Sequence, residues 1–272
     1  MMHNSSGFLG TIRKHYSVYL MLLPTVLFFL IFAYLPYFGL TLAFKDYKIF
    51  KGILASPWVG FKHFEEIFSS PGFFVLVKNT VVISVLNLVF GFPMPIVFAL
   101  LLNEVRLKSY KKIVQTVSYF PNFLSWVIFG GVMMSFVKPT GVINSFLHSI
   151  GQNDINLITN PTAFRMLLVV TNIMKNTGFS AIIYLAALTN IDPQLYEAAI
   201  VDGAKKMKQL IYITLPELTS LIITMFILAL SGILNSNFEQ IYVLYNPAVY
   251  EVADVIDTYI YRIGIQGAQY SV

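Results

Sequence analysis

Five long apolar runs divide this chain, and charged residues mark where most of them end. The runs lie at about 17–44, 79–103, 113–137, 166–190 and 218–238, and none contains Asp or Glu. A helix needs about 20 apolar residues to cross a hydrocarbon core of roughly 30 Å, and it satisfies its own backbone hydrogen bonds there. The pattern predicts an all-α integral membrane bundle with five spans, forming one transmembrane domain over residues 1–272.

The composition agrees with a membrane protein. The chain is 57% hydrophobic and 11% charged, whereas about a quarter of the residues of a soluble domain carry charge. It has no cysteine, which excludes disulfides and thiolate metal sites, and its four histidines show no ligand spacing, so no metal site is predicted. The net charge of +5 is spread too thinly to indicate a nucleic-acid partner.

The distribution of Lys and Arg in short loops predicts the orientation, because such loops stay in the cytoplasm when they are basic. The densest group, Arg106, Lys108, Lys111 and Lys112, lies between the second and third runs. This places the N-terminus, that loop and the segment 191–217 on the cytoplasmic side.

The segment 191–217, between the fourth and fifth runs, has the pattern of a bent helical hairpin. Asp192 and Pro193 can begin a helix, because proline fits the first helical turn. Gly203 then permits a sharp turn that a side chain would obstruct. A second short helix is expected next, and Pro216 opens the following span. The resulting elbow is either a docking surface for another protein or an ordinary amphipathic connector, and the pattern alone leaves both open.

The same segment resembles the EAA loop in the membrane subunits of binding-protein-dependent ABC importers. That family's pattern is EAA, a glycine four residues later, and an Ile-x-Leu-Pro ending. The matching residues are Glu197, Ala198, Ala199, Asp202, Gly203, Ala204, Ile213, Leu215 and Pro216. The resemblance implies that this loop is the coupling helix, which docks in a groove of the ATP-binding subunit.

Other stretches extend the resemblance over nearly the whole chain. SPWVGFKHF at 56–64, LLNEVR at 101–106 and YFPNFLSW at 119–126 look like the LplB-type permeases, relatives of the maltose permeases that import complex sugars and polysaccharide fragments. The resemblance implies a type I ABC-importer bundle that carries an oligosaccharide or polysaccharide fragment. The chain departs from that family at Met174, where a tryptophan is usual. A sixth helix normally follows the position of Tyr270, and we expect it to be missing from the C-terminus of this sequence.

The resemblance also implies partners. These are a second, related permease, two ATP-binding cassette subunits that hold ATP and Mg²⁺, and an extracellular or lipid-anchored sugar-binding protein. The chain lacks the G-x-x-x-x-G-K-[ST] phosphate loop. We therefore expect no cofactor and no catalytic residue on it, and we expect a multi-pass protein of the bacterial cytoplasmic membrane, surrounded by lipid.

Lys175 is the charge inside the fourth run. Burying a lysine at mid-membrane costs about 2.5–3.5 kcal/mol, so its side chain should face the bundle interior or water. Asn172, Asn176 and Thr177 accompany it. This patch either lines a transport pathway or serves as a hydrogen-bonding clamp between helices, and both interpretations stay open.

The fifth run ends in a second polar group. Ser231 and Asn235 are four residues apart and are expected to share a helix face. Tyr184, Asn235 and Asn237 offer the aromatic and amide groups that sugars require, although close helix packing would also explain the small and polar residues here.

Two other classes of function remain as alternatives. A stand-alone ion-coupled transporter would need paired intramembrane acids or a repeated bundle, and the five runs contain neither Asp nor Glu. A non-transport membrane scaffold would leave the polar patch around Lys175 unexplained. Co-purification of an ATPase subunit distinguishes the importer from both.

Overall fold

The computed structural model describes residues 14–271, which are mostly helical and contain no strand. Five helices of this part are long and apolar enough to cross a membrane, which confirms the expected all-α bundle. Within the described residues, the chain divides into two compact units: 14–70 with 263–271, and 71–262.

The first unit consists of helix α1, Tyr16–Phe44, and the folded loop that follows it, which ends in the short helix α2, Lys62–Ser69. Lys45 holds the loop together. Its Nζ donates to Ile53 O at 2.7 Å and lies 4.7 Å from the ring centre of Trp58. These contacts make the segment after α1 a compact loop.

The second unit contains the remaining long helices. They are α3 Pro71–Asn103, α4 Lys108–Tyr119, α5 Trp126–Val137, α6 Val142–Ser149, α7 Pro161–Thr189, α8 Pro193–Val201 and α9 Lys206–Ser231. The short helical segments Phe238–Leu244, Tyr250–Ala253 and Ile256–Ile260 follow α9.

Helix α7 is the element against which the others pack. Near its beginning, Phe164 joins Ile83 of α3 in one buried cluster. Near its end, Leu185 joins Leu102 and Leu218 in another. Because α7 contributes to both clusters, it connects the two ends of this unit.

The third apolar run contains a helix break: the sequence predicts one span over 113–137, whereas the candidate span is Trp126–Ser149, which combines α5 and α6. A 3₁₀ turn, Phe120–Phe123, separates α4 from α5 and contains Pro121. Ser125 then caps α5, its hydroxyl accepting the Ile128 N–H at 3.3 Å. A proline without an N–H, followed by a serine N-cap, ends one helix and begins the next.

Charged residues do not end the other helices where the sequence analysis placed their boundaries. Helix α3 extends past Lys78, so it is longer than the expected 79–103. The second arm of the hairpin and the fifth span, expected separately at 218–238, are one helix that begins at Lys206. Lys side chains reach into the polar interface while their stems cover apolar surface, so they need not terminate a span. Gly232 ends α9 at its other end.

Three of the long helices contain a wide π turn, and in these three helices the turn is followed by a proline two residues later. These turns are Leu30–Tyr34 before Pro36, Asn87–Gly91 before Pro93, and Leu210–Thr214 before Pro216. A proline cannot bond to the carbonyl four residues earlier and its ring crowds that carbonyl. In each case this carbonyl belongs to the central residue of the wide turn. The extra residue lets the helix continue past the proline.

Candidate functional site

The segment 191–217, which we call the elbow, is bent by an αL turn at Gly203. Asp192 caps α8, its carboxylate accepting the Gln194 N–H at 2.9 Å. Gly203 has φ +75°, and the Ala204 N–H closes back on Ala199 O at 2.8 Å. This pair of features is the Schellman ending of a helix, in which a glycine adopts a conformation unfavourable for other residues. The structure thus gives Gly203 the turn-forming role expected of it.

The tip of the elbow exposes apolar side chains. Ile200 is 62% exposed and Val201 is 88% exposed. Four of the residues that match the EAA pattern are exposed: Glu197, Ala198, Asp202 and Gly203. Two others, Ala199 and Ala204, are half-buried. The tip thus combines the matched small residues with uncovered apolar surface.

The Ile-x-Leu-Pro end of the pattern lies elsewhere, at the root of α9. Ile213 packs against the buried cluster around Leu185 and Leu218. Leu215 is half-buried and Pro216 is exposed. The pattern therefore covers a free tip and a packed root, joined by the turn at Gly203.

A cavity of about 830 Å³ lies between α3, α7, α9 and the loop after α9. Its walls include six of the seven candidate pathway residues: Asn172, Asn176, Thr177, Tyr184, Asn235 and Asn237. The seventh, Lys175, is not among the lining residues. The structure therefore brings the polar residues of the fourth and fifth runs together and separates Lys175 from them.

Side-chain amides form a connected network along the cavity wall. Asn176 donates to Asn172 at 2.7 Å, and Asn122 donates to Asn176 at 3.1 Å. Asn172 donates to Asn87 of α3 at 3.2 Å, and the Asn237 amide lies 3.4 Å from the Asn172 oxygen. The network joins α7 to α3, to the break after α4 and to the loop after α9.

Two hydroxyls on the wall have no hydrogen-bond partner within the described part of the chain. They are Ser84 Oγ and Thr177 Oγ1, and both are buried. Burying an unpaired hydroxyl is unfavourable by about 1–3 kcal/mol. Such groups are therefore suited to bond with whatever occupies the cavity.

Lys175 forms a carbonyl clamp on the helix break. Its Nζ donates to Pro121 O and Asn122 O at 3.1 Å each and to Leu124 O at 2.6 Å. An ammonium group has three donors, so these three acceptors use all of them. The side chain is 5% exposed and its Nζ lies 5.3 Å from the ring centre of Trp126. This geometry supports the clamp interpretation of Lys175 over pathway lining.

A close backbone approach reinforces the clamp one turn further along α7. A Cβ built on Gly178 would overlap the carbonyl group of Ser118 and lie 2.8 Å from the Ser118 Cβ. Only glycine lets α7 approach the end of α4 this closely. Gly178 and Lys175 together fix the broken helix to α7.

The shared helix face expected for Ser231 and Asn235 does not form, because α9 ends at Ser231. Asn235 lies in the following loop, and Asn237 has a left-handed backbone at φ 56°. Gly232 ends the helix early, and asparagine is one of the residues that tolerate the left-handed region. Asn235 and Asn237 therefore reach the cavity from a loop and not from a helix face.

The segment after the loop is held to the beginning of α7 by a second polar group. Arg165 donates to Asn79 Oδ1 at 2.9 Å and to Val252 O at 3.1 Å. Arg262 pairs with Asp254 through two hydrogen bonds, at 3.1 and 2.5 Å. Hydrogen bonding to Asp254 raises the pKa of Arg262 further. Burial and the neighbouring Tyr250 raise the pKa of Tyr245 to about 12, so this aromatic group stays uncharged.

Sequence reasoning missed several of these residues. Ser84, Asn87 and Asn122 line or join the cavity, and each is an isolated polar residue in an apolar run. Isolated polar residues within a span were the available signal, since such residues face the bundle interior.

A bundle of apolar helices around a cavity lined by amides, hydroxyls and apolar side chains is typical of a membrane permease. Comparison with known proteins identifies the family. No protein-family model matches the chain. The chain is 48% identical over 257 residues to the polygalacturonan/rhamnogalacturonan transport system permease protein YteP of Bacillus subtilis, covering 93% of this chain and 79% of that protein. It is 42% identical over 266 residues to protein LplB of the same organism, and the match covers 97% of this chain and 84% of LplB.

Solved structures give the same result. The fold matches a chain of a bacterial ABC transporter involved in the import of the acidic polysaccharide alginate, with a TM-score of 0.89 and 46% identity, covering 96% of this chain and 88% of that one. The fold also matches a chain of the bacterial alginate ABC transporter in complex with an alginate pentasaccharide-bound periplasmic protein. The TM-score of this match is 0.89 and the sequence identity is 45%. The chain therefore belongs to the permease subunits of ABC importers.

Proposed function

We propose that this permease subunit carries an oligosaccharide or polysaccharide fragment through the cavity and is driven through the elbow by a separate ATPase. YteP and the alginate transporter support the substrate class, since both names specify polysaccharides. The proposal that the ATPase acts through the elbow rests on the exposed apolar side chains at the tip of the elbow.

The cavity has the chemistry that a sugar requires. Its volume of about 830 Å³ falls within the roughly 300–1,000 Å³ common for ligand sites. The polar lining residues are amides, hydroxyls and Tyr184, with no Asp, Glu, Lys or Arg among the lining residues of the described part. Neutral donors and acceptors match sugar hydroxyls, and an aromatic face suits a sugar ring. We assign Asn172, Asn176, Thr177, Tyr184, Asn235 and Asn237 as substrate contacts.

The elbow has the chemistry of a docking surface. Large apolar side chains that are uncovered outside a helix bundle mark interaction sites, and Ile200 and Val201 are such residues. We assign Glu197, Ala198, Ala199, Asp202, Gly203 and Ala204 to the docked tip, and Ile213, Leu215 and Pro216 to the root that receives its motion.

The remaining parts of the assembly follow from this assignment. The elbow and the N-terminus face the cytoplasm, two ATPase subunits bind ATP and Mg²⁺, and a second related permease completes the pathway. An extracellular or lipid-anchored binding protein delivers the sugar to the opposite face. Closure of the ATPase pair moves the elbows and opens the cavity inward. The chain itself performs no catalysis and holds no cofactor.

Co-purification with the ATPase subunit tests the coupling assignment. Val201→Asp, which places a charge on the apolar tip, should abolish recovery of the ATPase with the permease in mild detergent. Leu107→Asp is the matched control, because Leu107 is 73% exposed on the loop after α3. Equal recovery of the ATPase with both variants would refute docking at the elbow.

Substitutions of Gly203 test whether the backbone conformation of the turn is needed for coupling. Gly203→Asn keeps a residue that tolerates the left-handed conformation, whereas Gly203→Val does not. No atom of the described chain lies within 4 Å of a Cβ built on Gly203, so the first side-chain atom of either variant has space. We expect Gly203→Val to uncouple ATP hydrolysis from transport while membrane insertion stays normal, and we expect Gly203→Asn to remain coupled.

A further inference from the structure

The two arms of the elbow are joined by one side-chain hydrogen bond and by the ring of Tyr196, which packs against the buried cluster around Leu185 and Leu218. Tyr196 of α8 and Thr214 of α9 lie with their hydroxyl oxygens 2.9 Å apart. The residues are 18 positions apart in sequence, and the turn at Gly203 lies between them. The contact therefore crosses the elbow from one arm to the other.

The Thr214 side of the contact is rigidly placed. Thr214 is 6% exposed and is the last residue of the π turn Leu210–Thr214. The start of the same arm is tied to the turn by Gln209, which is 6% exposed and donates to Ala204 O at 3.0 Å. The second arm, the turn and the hydroxyl pair thus form one hydrogen-bonded unit.

That unit is continuous with a membrane span. Helix α9 runs without interruption from Lys206 to Ser231. Its residue Leu218, four positions beyond Thr214, is 1% exposed in the cluster with Leu185 and Leu102. A displacement of a rigid elbow is therefore a displacement of α9.

A flexible elbow would behave differently. The αL turn fixes the backbone at one residue, but α8 has only nine residues and exposes most of its surface. The surface ion pair between Lys206 and Glu104, at 3.1 Å, belongs to the second arm and does not hold α8. Ion pairs this exposed also contribute little. Holding the angle between the arms therefore falls to Tyr196, whose ring packs against the cluster around Leu218 and whose hydroxyl bonds to Thr214 and fixes its orientation.

We propose that Tyr196 and Thr214 are positioning residues that lock the two arms of the elbow, so that motion of the docked tip moves α9 instead of bending the turn. This inference rests on the proposed function of the elbow. The pair touches neither substrate nor nucleotide. Its role is to set how much transport each ATP hydrolysis event produces.

The first test measures sugar transported per ATP hydrolysed, using the complete importer reconstituted in proteoliposomes. Tyr196→Phe and Thr214→Val remove one hydroxyl each and keep the side-chain shape. We expect each to lower the ratio about fivefold, the change in population that one net hydrogen bond controls. The double variant should fall no further, and Thr214→Ser should restore the ratio. Tyr212→Phe and Thr219→Val are the matched controls, since both hydroxyl residues lie exposed on α9. An unchanged ratio in both Tyr196→Phe and Thr214→Val overturns the proposal.

The second test does not depend on an ATPase partner. The chain has no cysteine, so cysteines introduced at the exposed Gln194 and Lys208 can carry spin labels without background. The distance distribution between the labels should be narrow in the otherwise unaltered protein and broader in Tyr196→Phe. Equal widths would refute the lock even if coupling at the elbow is correct. A broadened distribution without a co-purifying ATPase would keep the lock and refute the proposed function.

Discussion

Replacing Lys175 with methionine tests the carbonyl clamp, because methionine is similar in length and has no donor. Lys175 is the central residue of the 29-residue helix α7. Burial of its charge at that depth costs about 3 kcal/mol. Three hydrogen bonds from an ammonium group contribute about 1.5–3 kcal/mol each, or about 5–9 kcal/mol together. The clamp therefore stabilises the fold by a surplus of roughly 2–6 kcal/mol.

The expected result is a permease that inserts and unfolds at a lower temperature. For a chain of this size, a loss of about 2 kcal/mol lowers Tm by about 5 °C, and a larger loss lowers it more. Thermal unfolding in detergent measures this change. Lys138→Met is the control, because Lys138 is an exposed residue at the end of α5. A Lys175→Met protein that unfolds at the unaltered temperature would show that the burial cost and the hydrogen bonds cancel, and the clamp would then have no role in stability.

The remaining predictions concern single contacts. Gly178→Ala should lower Tm by several degrees, because the new methyl group overlaps the Ser118 backbone and overpacking costs about 1–3 kcal/mol; Gly131→Ala, with no atom within 4 Å, should not. Ser84→Ala should raise Tm slightly, since it removes a buried hydroxyl that has no partner in the described chain. It should also slow sugar uptake, and normal uptake would count against the cavity as the pathway. Arg165→Met should speed amide hydrogen exchange over 251–254, because it frees the Val252 carbonyl and Asn79; unchanged exchange there would contradict that anchoring role.

The apolar runs were sufficient to predict the number and type of candidate spans, because hydropathy reflects the hydrocarbon environment directly. They were not sufficient for helix ends. Lys78 and Lys206 are inside or at the start of helices that the sequence analysis began later. Helix α9 ends at Ser231, before the expected end of the fifth run at 238, because Gly232 follows it.

The role of a candidate site residue was predictable where its residue type favours one backbone conformation. It was not predictable where the role depends on which groups the fold places around the side chain. Gly203 was expected to turn the elbow, since few other residues adopt positive φ. Lys175 left two interpretations open, and only the positions of three backbone carbonyls favour one of them. The partner of Tyr196 could not be inferred, because it depends on a wide turn that no simple periodicity reveals.

The π turns have a consequence for anyone engineering this membrane surface. Each inserts one residue into its helix, and one residue corresponds to about 100° around the axis. A lipid-facing stripe traced along α9 from Lys206 therefore shifts to another side beyond Thr214. The same offset applies on passing Tyr34 in α1 and Gly91 in α3. Positions for labelling or cross-linking that are chosen from a helical wheel therefore need a new wheel for the residues after each π turn.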